Sequence, residues 1–119
     1  MSNCITRFFK AWEIKDAETR LTTINSAVTE SVQYSDPRTN EPLNGIEALS
    51  HYITMFSENA PGWSAEVVKS DIISGVTRVT VAFTGMGPDG CQQVQLGQYF
   101  VEKDGDLICR MIGFVGTGE

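Results

Sequence analysis

The spacing of apolar residues changes at Gly62, and this change limits the possible architecture more than any motif does. Before it, apolar side chains recur every three or four positions, as on the buried stripe of a helix; after it they alternate, as on one face of a strand. Ile5, Phe8, Phe9 and Trp12 predict a first helix from Ile5 to about Ala11. Asp16 is placed to cap a second helix, with Thr19 and Arg20 in its early turns and Leu21, Ile24 and Val28 along one side. Asn44 precedes Gly45-Ile46-Glu47, an Asn form of the capping box, and opens a third helix. Its stripe is Ile46, Leu49, Ile53 and Phe56, widened by Ala48, Tyr52 and Met55. Asn59-Ala60-Pro61-Gly62 stops it.

Beyond Gly62, four strands are separated by three turn signals: Ser74-Gly75, Gly87-Pro88-Asp89-Gly90 and Asp104-Gly105. That pattern predicts an antiparallel meander. Thr77, Val79, Val81 and Phe83 form one inward row, and Val94, Leu96, Gln98 and Phe100 are read as another. Gln93, Gln95, Gly97 and Tyr99 then face solvent or a second subunit. Gln98 is the one polar side chain in its row. A buried amide needs a partner, or it costs roughly 1–3 kcal/mol, so it bonds across the sheet, bonds a water, or points its NH₂ into a cavity.

Between the second and third helices lies Val32-Gln33-Tyr34-Ser35-Asp36-Pro37. Val32, Tyr34 and Asp36 point to one side of an extended chain, and Pro37 ends the strand. An acid at the end of an inward row can serve as a general base in an apolar cavity. Asp-Pro is equally ordinary turn chemistry. The residues alone leave both readings open. Trp12 is similarly two-sided: it is core, or a ligand wall if its helix lies across a cavity mouth. Arg38 to Leu43 reads as a polar connection, and His51 as a surface or edge residue.

With 119 residues, 41% of them hydrophobic and 20% charged, the chain is read as one globular domain spanning 1–119. A net charge of −6, with no basic cluster, disfavours nucleic acid and anionic membrane as partners. Met1 to Arg7 holds no apolar run suited to a signal peptide, and nothing approaches a membrane span. Cys4, Cys91 and Cys109 are odd in number and irregularly spaced, as expected of reduced thiols in the cytoplasm. With one histidine and no Cys-x-x-Cys, no metal site is expected.

The order of elements, together with Trp12-x-x-x-Asp16, Val32-x-Tyr34-x-Asp36-Pro37, Asn44-Gly45-Ile46-Glu47-Ala48-Leu49 and Asp104-Gly105-Asp106-Leu107-Ile108-x-Arg110-x-x-Gly113-Phe114, resembles the nuclear transport factor 2 superfamily. Within it, the chain is similar to the SnoaL-like and ketosteroid isomerase-like proteins over about residues 5–116. The resemblance implies an α+β cone-shaped barrel, with three N-terminal helices packed in a curved antiparallel sheet of four to six strands. It also implies a homodimer through the outer sheet face.

Asp36 matches the isomerase-like base that takes a proton next to a carbonyl. Gln98 falls where those isomerases keep a protonated acid, and their helix-1 Tyr falls on Phe8 or Phe9, which cannot donate. The SnoaL-type cyclases' meander histidine has no counterpart. The expected function is therefore a small-molecule pocket, of an isomerase or cyclase acting without cofactor on an apolar carbonyl-bearing ligand. Asp36 would be its base, with Gln98 and Tyr34 polarising the carbonyl. Trp12, Tyr52, Met55, Phe56, Phe83 and Met111 are the expected walls. The alternative is a non-catalytic ligand-binding or dimeric association module of the same fold.

Overall fold

The computed structural model describes residues 4–39, 41–59 and 62–116. Three helices, α1 (Cys4–Ala11), α2 (Ala17–Asn25) and α3 (Ile46–Asn59), lie in a six-stranded, unclosed curved sheet. Its strands are β1 (Val28–Ser35), β2 (Leu43–Asn44), β3 (Ser64–Ile73), β4 (Val76–Met86), β5 (Gln92–Asp104) and β6 (Leu107–Val115), in spatial order β2-β1-β6-β5-β4-β3. This is the α+β cone expected. Four of the five strand pairings are antiparallel; β1 lies parallel to β6, a pairing that needs a long connection, here filled by α3 and the meander. β2 was not expected: it pairs with β1 through Leu43 and Asn44. Among the described residues, no helix is long and apolar enough to cross a membrane.

The helices enter the cone through their apolar stripes. Ile5, Phe8 and Phe9 of α1 are buried, and Trp12, the first residue beyond the helix end, is only 2% exposed. Asp16 caps α2, accepting from the Thr19 N–H at 2.9 Å and the Thr19 hydroxyl at 2.6 Å. The predicted stripe of α2 is corrected. Leu21 is 41% exposed, and Val28 belongs to β1, because the chain leaves the helix at Asn25. Arg20 takes the inward place instead. Its guanidinium donates to the Ile14 carbonyl at 2.7 and 3.0 Å, the Lys15 carbonyl at 3.2 Å, Thr54 Oγ1 at 3.0 Å and Ser57 Oγ at 3.2 Å. One cation thus ties the α1–α2 connection to α3 through neutral acceptors.

The cap of α3 is Gly45 rather than Asn44. The Gly45 carbonyl accepts from the Leu49 N–H at 3.3 Å, and its N–H reaches the Val32 carbonyl at 2.8 Å. Its φ of +91° explains why glycine stands there. Asn44 is held in β2, where its side chain meets Gln33 and the Pro42 carbonyl. The Ala60-Pro61 helix stop lies outside the described residues.

Cross-strand partners share a face of a sheet. Val79 and Val81 of β4 are fully buried, and they pair with Tyr99 and Gly97 of β5. The inward row of β5 is therefore Gly97, Tyr99 and Val101, and the predicted inward row Val94, Leu96, Gln98 and Phe100 lies on the outside. Replacing Arg20 with Leu strands the carbonyls and hydroxyls it bridges. Urea unfolding of Arg20→Leu should show a loss of about 2–3 kcal/mol relative to the parent chain.

Candidate functional site: a carboxylate held by tyrosines in an aromatic cavity

Asp36 follows the last residue of β1, and its two carboxylate oxygens do different work. Oδ1 accepts from the backbone N–H groups of Arg38 (2.8 Å) and Thr39 (3.2 Å), while the Thr39 N–H and hydroxyl also close on the Asp36 carbonyl. This is an Asx-type turn, as Asp-Pro suggests. Oδ2 accepts from the Tyr34 hydroxyl at 2.7 Å and the Tyr52 hydroxyl at 2.5 Å. Asp36 is thus both turn residue and cavity carboxylate, with one oxygen for each role.

The tyrosines arrive from three elements. Tyr34 comes from β1 and is fully buried, Tyr52 comes from α3 and is half-buried, and Tyr99 comes from β5. The Tyr34 and Tyr99 rings lie with centroids 6.5 Å apart. Burial pushes Tyr34 well above the ordinary phenol range, reinforced by Tyr99 and the Asp36 charge. Burial likewise raises Tyr52, helped by its bond to Asp36, and raises Tyr99 to about 12. All three hydroxyls therefore stay protonated near neutrality, and those of Tyr34 and Tyr52 donate to Asp36. Tyr99 fits because Gly113 stands opposite it on β6: a Cβ there would lie 2.4 Å from the ring.

Asp36 opens on a cavity of about 390 Å³, within the range of small-molecule sites. Its walls are the rings of Trp12, Phe56, Trp63, Phe83 and Tyr99. Trp12 sits edge-on to Phe56 with centroids 4.8 Å apart, and 5.9 Å from Phe83. Arg38, Gln93 and Gln95 add polar groups, and the exposed Phe114 and Val115 form part of the rim. The Trp12 indole N–H is buried, with no acceptor among the described residues.

Of the residues expected at the site, Asp36, Trp12, Phe56 and Phe83 line this cavity. Tyr34 and Tyr52 stand behind Asp36, bonded to it. Three fall elsewhere. Gln98 lies on the outer face between Thr80 and Phe114, because the faces of β5 are the reverse of those expected. Met55 is 47% exposed on α3, and Met111 is buried in the core beside Tyr34. Sequence reasoning missed Tyr99 and Trp63. Both lie over glycines, Gly113 and Gly85, in strand rows that are otherwise bulky. An in-strand glycine is the available signal that a ring passes close to the backbone.

No protein-family model and no curated protein sequence matches the chain. Its structure is similar to that of a SnoaL-like family protein from Agrobacterium tumefaciens C58, at 22% identity and TM-score 0.80 over 96% of this chain and 95% of that one. It is similar to a SnoaL-like protein from Jannaschia sp. CCS1, at 16% identity and TM-score 0.76 over 93% and 81% of the two chains. A protein with a ketosteroid isomerase-like fold from Catenulispora acidiphila matches at 11% identity and TM-score 0.75, over 95% and 85%. The chain therefore has the nuclear transport factor 2-like fold that SnoaL-like and ketosteroid isomerase-like proteins share.

The tyrosines make a prediction about alkaline pH. An unfolded tyrosine ionises near 10, whereas folded Tyr99 holds its proton to about 12. Stability is therefore fully present below pH 10 and falls as pH rises towards 12, by about 2–3 kcal/mol for Tyr99. Urea unfolding at successive pH values should show this slope in the parent chain and a shallower one in Tyr99→Phe.

Proposed function

We propose that the chain encloses a small apolar molecule bearing a carbonyl group and moves a proton next to that carbonyl, as a cofactor-free isomerase or cyclase does, with Asp36 as the proton acceptor. The observation that carries this reading is the placement of Asp36: a carboxylate at an aromatic cavity, with two tyrosine hydroxyls on the same oxygen. Two of the structural neighbours, described as a candidate isomerase and a candidate polyketide cyclase, support the same class of chemistry.

Asp36 accepts four hydrogen bonds, which fills its lone pairs. To take a proton it must give one up. Tyr52 is the partner suited to leave, since Tyr34 is fully buried and the two N–H bonds belong to the turn. With Tyr52 released, Oδ2 is free to take the proton, and the hydroxyl of Tyr99, which lines the cavity, is the donor for the ligand's carbonyl oxygen, where negative charge grows as the proton leaves.

The same four bonds favour a second reading, in which Asp36 is a fixed acceptor in a non-catalytic binding pocket. On either reading a homodimer is proposed through the outer sheet face, where Met86, Val94, Leu96 and Phe114 are exposed. Three unpaired cysteines suit the cytoplasmic setting expected.

The test is deuterium exchange at the carbon next to the carbonyl of a panel of aryl ketones in D₂O, followed by NMR. The enzyme reading predicts exchange above the buffer rate, and a loss of about 10²–10⁴-fold in Asp36→Asn. Ketone binding with exchange at the buffer rate selects the binding reading.

A further inference from the structure

Trp63 belongs to two surfaces at once. One side of its ring lines the cavity that holds Asp36, and it also lines a separate cleft of about 580 Å³ shared with Trp12. That cleft is polar where the cavity is aromatic: Glu13, Lys15, Glu58 and the Arg20 guanidinium bound it, with the hydroxyls of Thr54 and Ser57. Trp12 is only 2% exposed and packed among Phe56, Phe83 and Tyr52, so it is a fixed part of this partition.

Trp63 is half-buried, and its indole lies flat on the backbone of Gly85, the last inward position of β4 beyond Phe83. A Cβ on Gly85 would fall 2.3 Å from the indole Cδ2 and 2.5 Å from Cγ and Cε2. No side chain longer than glycine's leaves room for the ring where it stands. Gly85 has no positive φ, so its missing side chain serves space rather than backbone conformation.

We infer that Trp63 sets the length of ligand the cavity accepts, acting as the end wall that separates an aromatic chamber from a charged cleft. The inference rests on the small-molecule reading above and narrows its ligand class. With Trp63 in place, the chamber takes a compact molecule, whose polar group meets Asp36 and whose apolar body ends against the indole. A long apolar tail gains no further burial, because past the indole lies only the charged cleft and past the rim only solvent.

The experiment titrates the parent chain, Trp63→Ala and Gly85→Ala with straight-chain alkyl phenyl ketones of increasing tail length, from acetophenone upward, by calorimetry. Each methylene that leaves water for the cavity should tighten binding roughly fourfold. The parent is expected to show this gain up to a limiting tail length and none beyond it. Trp63→Ala should extend the limit, as the tail fills the space left by the indole. Gly85→Ala keeps the wall but lifts it off β4 into the chamber, so its limit should be shorter than the parent's.

The opposite signs of the two variants separate a length-setting wall from general loosening, and the second test stands if Trp63→Ala does not fold. A limit that is the same in the parent and in a folded variant overturns the inference while leaving the pocket reading intact. Failure of the folded parent to bind any of the ketones overturns both.

Discussion

Much of this architecture converges on one carboxylate. Asp36 Oδ2 joins Tyr34 of β1 to Tyr52 of α3, and Oδ1 closes the turn that carries the chain away from the sheet. An ionised acceptor makes stronger hydrogen bonds than a neutral one. Tyr99 carries the aromatic packing from Tyr34 to the centre of the meander, with ring centroids 6.5 Å apart. The carboxylate at the cavity thus also fixes α3 against β1. Phe8, Phe9 and Trp12 then fill the space between the tyrosines and α1, with ring centroids mostly 5–6 Å apart. A charge at such a place is tolerated because donors surround it.

The sheet divides the molecule into two chemically distinct sides. Inward rows contribute Val79, Val81, Tyr99 and Val101 to the core, with glycine at 113 where the Tyr99 ring must pass. The outward rows are also apolar near the ends of β5 and β6, where Phe100 and Phe114 meet edge to face at 5.6 Å. This two-sided apolarity explains the largest error of sequence reading. Val94-Leu96-Gln98-Phe100 looks like a core row by hydropathy, whereas Gln93-Gln95-Gly97-Tyr99 looks like a wet one. Alternation shows that a strand has two faces; which face is inside depends on register, and register is carried by partners such as Val79. Gln98 was misplaced for that reason alone.

What depended on short-range chemistry was legible. The helical stripes of α1 and α3, the Asp16 cap, the turns at Gly75, Gly90 and Gly105, and the end of β1 at Asp-Pro follow from local rules, and the structure shows each of them. Asp36, Trp12, Phe56 and Phe83 could be nominated because their stripe or strand points them inward. Arg20 could not: it sits in a polar stretch, and its burial depends on carbonyls at Ile14 and Lys15 and hydroxyls on another helix. Trp63 and Tyr99 were hidden for a related reason, since each is defined by the glycine it lies upon and not by its own neighbours in sequence.

The coupling between Asp36 and Tyr52 is the most direct measure of whether this carboxylate organises the site. A double-mutant cycle of Asp36→Ala, Tyr52→Phe and the combined variant, each followed by urea unfolding at neutral pH, isolates that one hydrogen bond from the turn and the ring packing. A charge-assisted bond predicts an interaction energy of about 1.5–3 kcal/mol. Additivity within about 0.5 kcal/mol would contradict the account, leaving Asp36 a turn residue that merely lies beside the tyrosines.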